Sequence, residues 1–136
     1  MSLKLILNDD PSRAVIYKIA RVIYAETGGE SLRDVEALAS MIFNIHTVTG
    51  RTYENIVSDP DLFESLNNDS ERHSYLDVDA GTRAFDMCVR VTQTMMRGHL
   101  PDSAMGAMRF HRTDQLPSWA VSRGYILETS QLTFYL

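Results

Sequence analysis

Between residues 15 and 45, apolar side chains recur at helical spacing in two blocks. Val15, Ile19, Val22 and Ile23 share one face of a first helix, and Val35, Leu38, Ile42 and Ile45 form the stripe of a second. Asp9-Asp10-Pro11 supplies an acidic N-cap followed by proline at the first helical position, which predicts a helix from Pro11 to Thr27. Gly28-Gly29 stops it, because glycine takes left-handed conformations at no steric cost. Ser31 with Asp34 three residues on has capping-box spacing, and Gly50 closes the second helix. A third long helix is predicted from Asp79 to Arg97, with Ala84, Cys88, Val91 and Met95 on its buried face and Gly98 and Pro101 ending it. Between the second and third helices the pattern weakens. Tyr53 to Val57 reads as a short helical turn, Ser58-Asp59-Pro60 as a turn, and Asn67 to Ser74 as an exposed polar loop.

Beyond Pro101 the period shortens to two. Ala107-Met108-Arg109-Phe110-His111 alternates like a strand, and Tyr125 to Glu128 with Leu132 to Tyr135 reads as a hairpin around Thr129-Ser130-Gln131. The expected class is therefore α+β, mostly α, with a small antiparallel β element near the C-terminus. At 136 residues the chain suffices for one domain over 1–136, with residues 1–10 as an N-terminal extension.

Composition changes this picture mainly by exclusion. A net charge of −5, with no run of basic residues, argues against nucleic acid as a partner. No apolar run approaches the roughly 20 residues of a membrane span. The single cysteine, Cys88, rules out an intramolecular disulfide and falls on a buried stripe, as a small core hydrophobe does. The short apolar segment Leu3 to Leu7 lacks a full signal-peptide core and cleavage site, so no signal peptide is expected in this chain and its localisation is left open. His46, His73, His99 and His111 are scattered among different elements, which points to no metal site, and no cofactor fingerprint is present.

One carboxylate is out of place. Glu26 extends the apolar stripe of the first helix at offsets i+11, i+7, i+4 and i+3. A carboxylate in apolar surroundings has its charged form disfavoured, the property that a general acid requires. Glu30, four residues on, lies past the two glycines, so its spacing does not establish a carboxylate pair; it also suits the N-terminus of the second helix. Asn44, near the end of that helix, can cap backbone groups or hydrogen-bond a sugar.

The run Ala20-Arg21-Val22-Ile23-Tyr24-Ala25-Glu26-Thr27-Gly28-Gly29-Glu30, followed by Val35 to Asn44, resembles the opening of the SleB-type cell wall hydrolases, the family of the spore-cortex-lytic enzymes. The resemblance extends from about Ala20 to Tyr135. Later landmarks keep the family's order: Phe63 after a proline-containing turn, Gly106-Ala107-Met108-Arg109-Phe110-His111, and Pro117-Ser118-Trp119. It implies a lysozyme-like domain, monomeric, that cleaves the glycan strands of peptidoglycan as a lytic transglycosylase, with Glu26 as the catalytic acid. It also implies a sugar-binding cleft drawn from Tyr24, Gly29, Glu30, Asn44, Phe63, Phe110, His111, Trp119 and Tyr125. For the aromatic residues, core packing is an equally good reading, with Trp119 leaning to the cleft. Four positions depart from the family pattern. Thr27-Gly28 replaces Ala-Arg, Ile45 stands where arginine follows the asparagine, and Glu64 follows Phe63 where serine is usual. The missing arginines favour an alternative, a non-catalytic peptidoglycan-binding or assembly module that retains the fold, whereas the retained Glu26 opposes it. The sequence offers no clearly placed second carboxylate, and this favours transglycosylation over hydrolysis.

Overall fold

The apolar stripes find one another. In the computed structural model, which describes residues 11–136 with side chains from Ala14 onward, α1 (Pro11–Thr27), α2 (Leu32–Thr49) and α4 (Arg83–Met96) pack together, with the short α3 (Tyr53–Ile56) beneath α1 and α2. Ile19, Val22 and Ile23 of α1 meet Val35, Leu38 and Ile42 of α2 and Phe85, Cys88 and Met95 of α4 in one core. About half of the chain is helical, and the remainder of the regular structure is a small antiparallel sheet near the C-terminus. The chain is thus α+β, mostly α. The acidic cap predicted at Asp9 and Asp10 lies outside the described residues, as does the N-terminal extension.

The sheet contains β1 (Arg109–Arg112), β2 (Leu127–Glu128) and β3 (Leu132–Tyr135) in the order β1-β3-β2. Phe110 pairs with Phe134, and Leu127 with Phe134, so the C-terminal strand is central and all four of its residues are buried. Phe110 stacks at a tilt on both Phe134 and Phe63, which joins the sheet to the helical core.

Three local expectations are modified. The last long helix begins at Arg83, four residues later than its pattern suggests, because Gly81 takes φ +102 and Thr82 is extended. Of the capping box, one half forms: the Ser31 hydroxyl accepts from the Asp34 N–H. The Asp34 carboxylate instead reaches the β2–β3 turn, accepting from the Ser130 hydroxyl at 2.6 Å and the Gln131 N–H at 3.4 Å. The polar segment expected as an exposed loop, Asn67 to Ser74, is flanked by 3-10 turns, one ending before it at Glu64–Leu66 and one entered by its last two residues at His73–Asp77. It is laced to the body: the Arg72 guanidinium donates to the Ala25 carbonyl, and His73 Nδ1 bonds the Ser65 carbonyl at 2.9 Å. Cys88 is fully buried, and desolvation pushes its thiol up to about 12, as befits a core side chain and not a nucleophile. No helix among the described residues is long and apolar enough to cross a membrane.

Candidate active site

The last turn of α1 carries Glu26 into the interior at 1% exposure. Thr27 closes that turn, its hydroxyl donating to the Ile23 carbonyl and accepting from the Gly29 N–H. Gly28 and Gly29 follow with φ +70 and +63. Gly29 is required by packing: a Cβ there would lie 2.8 Å from both the Cβ and the carbonyl oxygen of Ala84. It therefore serves the close approach of α1 to α4 and not the approach of a ligand.

The surroundings of Glu26 are not simply apolar, and the expectation from its helical face is corrected here. Arg112 Nη1 donates to Glu26 Oε1 at 2.9 Å, and the Ser65 N–H donates to Oε2 at 2.9 Å. A buried carboxylate without such partners would be costly, which is why the pair sits where it does. The Arg112 side chain is 7% exposed, and its Nη2 also donates to Glu64 Oε2 at 3.3 Å. Glu64 is 40% exposed at the side chain and accepts a second hydrogen bond from the Ser70 hydroxyl at 2.6 Å. One guanidinium thus bridges a buried carboxylate and an open one. Glu64, which the sequence did not place beside Glu26, shares that guanidinium with it.

Both carboxylates and Arg112 line a cleft of about 250 Å³, walled by β1 on one side and by Asp61, Leu62 and Asn67 on the other. Phe110, His111 and Trp119 also line it. His111 has both ring nitrogens engaged: Nδ1 donates to the Arg112 carbonyl at 2.8 Å, which leaves Nε2 to accept from the Tyr135 hydroxyl at 2.8 Å. It braces the wall and presents its ring, not a free nitrogen. Trp119 is half-buried, edge-on to Tyr135 at 5.1 Å between ring centroids.

The other sequence-predicted residues lie elsewhere. Phe63 is fully buried under Phe110 and supports the cleft from below. Tyr24 packs edge-on against Tyr75 and Phe85. Asn44 caps no helix end: its amide donates to the Ala107 carbonyl at 3.2 Å, tying α2 to the segment before β1, and it faces a separate cavity with Phe43 and Met95. Glu30 is exposed and accepts from the Gln131 side-chain amide. Tyr125 is 60% exposed, away from the cleft. Arg112, Glu64, Ser65 and Arg109 were missed. For Arg112 the signal was present: the alternation that turns Phe110 inward turns Arg112 inward as well, and an inward arginine needs a carboxylate. Among the described residues no three His, Cys, Asp or Glu side chains gather as a metal site. Compared with known proteins, the chain matches no family model, no curated protein and no solved structure.

Proposed function

We propose that this protein cleaves the glycan strands of peptidoglycan as a lytic transglycosylase of the SleB type, on a lysozyme-like domain, with Glu26 as its general acid and base. The observation that carries the reading is a buried carboxylate, Glu26, on the wall of a cleft lined in part by Phe110, His111 and Trp119, with a counter-ion that hydrogen-bonds both Glu26 and Glu64. Glu26 protonates the oxygen that joins N-acetylmuramic acid to N-acetylglucosamine, and that bond breaks. The muramoyl 6-hydroxyl then attacks the anomeric carbon, closing a 1,6-anhydro ring and returning its proton to Glu26. Arg112 fits this cycle. When Glu26 holds a proton, the guanidinium keeps Glu64 as its charged partner, so no uncompensated cation is left in the wall.

Glu64 supports a second reading, hydrolysis. Carboxylate pairs in glycoside hydrolysis stand roughly 5 to 9.5 Å apart, and a shared guanidinium holds Glu26 and Glu64 within about that reach. In that case Glu64 would activate the attacking water.

Digestion of purified sacculi, with soluble fragments analysed by mass, tests both. Wild type is expected to release anhydro-muropeptides, and Glu26→Gln, whose amide has no acid proton, to lose at least about 100-fold in rate. Reducing-end products would establish hydrolysis. Equal cleavage by both proteins would remove Glu26 from the mechanism, and co-sedimentation without products would establish the binding module.

A further inference from the structure

Of the two arginines that line the cleft, Arg109 differs from Arg112 in its partners, and Asp61 lines the same cleft without an ion pair among the described residues. Glu26 and Glu64 share Arg112, whereas no carboxylate among the described residues lies within ion-pair distance of the Arg109 guanidinium. Its Nε is buried and makes no hydrogen bond. Its guanidinium carbon sits 4.0 Å from the centre of the Trp119 ring, on the face of the indole. Trp119 is in turn held by His111 and Tyr135, and β1 fixes the Arg109 backbone opposite Tyr135. The cation is therefore anchored, not free on a flexible stem.

Such a guanidinium has given one face to an aromatic ring and has no acidic partner for its N–H edge. The group that matches that edge in charge and in planar geometry is a carboxylate, which can take two parallel hydrogen bonds. Neutral hydroxyls and acetamides offer no charge. In a chain of net charge −5, an arginine without an acidic partner in the wall of a cleft that also holds Glu26, Asp61 and Glu64 is a selective feature.

We propose that Arg109, laid on Trp119, is a carboxylate-reading subsite that makes the cleft select acidic sugar strands over neutral ones. The inference rests on the glycan reading above and names its substrate class. In peptidoglycan the carboxylate has two sources: the lactyl group of a muramoyl residue whose peptide has been removed, and the acidic groups of an attached stem peptide. Arg109 recognises the same chemistry in either.

The test measures binding by calorimetry in the Glu26→Gln background, with wild type in the cold as a control for its fold. Three ligands are compared: glycan strands stripped of peptide, the same strands with their carboxyl groups reduced to alcohols, and strands that retain stem peptides. Stripped or peptide-bearing strands are expected to bind at least 10-fold tighter than carboxyl-reduced ones, and whichever binds tighter identifies the source. Arg109→Gln brings that ratio close to one, and Arg109→Lys, which keeps the charge but not the fork, restores part of it. Equal binding of all three ligands by the parent, or an unchanged ratio in Arg109→Gln, overturns the subsite while leaving the glycan reading intact. No binding of any strand by either parent protein overturns both.

Discussion

Glu26 was legible as an anomaly because a carboxylate on an apolar stripe stands out in one dimension. Its partners were not, since Arg112 lies 86 positions away and Ser65 contributes only a backbone N–H. The pair is now the clearest energetic commitment in the chain. Removal of Arg112 leaves the buried Glu26 carboxylate without a charged partner, whereas removal of Glu26 leaves Arg112 with Glu64 and removal of both leaves no buried charge there. Arg112→Met is expected to lower unfolding free energy by about 3–5 kcal/mol, and Glu26→Leu with Arg112→Met to recover much of that loss. Urea denaturation of the two single variants and the double variant checks this. Additive losses would mean that the two side chains do not act as a pair.

The turn between α1 and α2 shows how an element can be read correctly and its purpose misread. Two glycines ended α1 where the sequence predicted, and both have positive φ. Their surroundings separate them. Gly28 faces only the Glu30 side chain, at 3.5 Å, whereas Gly29 lies against Ala84 of α4. Gly28→Ala is expected to cost about 1 kcal/mol, the penalty of the left-handed conformation alone. Gly29→Ala adds a clash with backbone and is expected to cost about 3 kcal/mol or more. Thermal or urea midpoints of the two variants test the order, and a reversed order would contradict the packing of α1 on α4. At the other end of the chain, β1 and the β2–β3 hairpin followed from alternation and turn residues. The anchoring of their turn by Asp34 did not, because capping spacing gave that residue a local role that it fills only through its backbone.

At the scale of the whole molecule, the first described helix and the last strands build one site. β3 is the central strand, and it holds Phe110 and Arg109 in register through Phe134 and Tyr135. Deletion of residues 132–136 is therefore expected to abolish the near-ultraviolet circular dichroism of Trp119, which rests on Tyr135, and to broaden the unfolding transition. A truncated chain with native dichroism would show that the cleft does not depend on the sheet. The sequence by itself determined the helical stripes, the glycine stop, the small C-terminal sheet and the singular position of Glu26. Each of these is written in spacing between near neighbours or in the alternation of one strand. Only the tertiary structure decided that Arg112 and Glu64 meet Glu26 in the cleft, that Phe63 and Tyr24 serve packing while Asn44 ties α2 to the segment before β1, and that Arg109 lies on Trp119 without an acidic partner. Those outcomes depend on distant segments meeting, and local periodicity carries no record of which side chains will be brought within hydrogen-bonding distance.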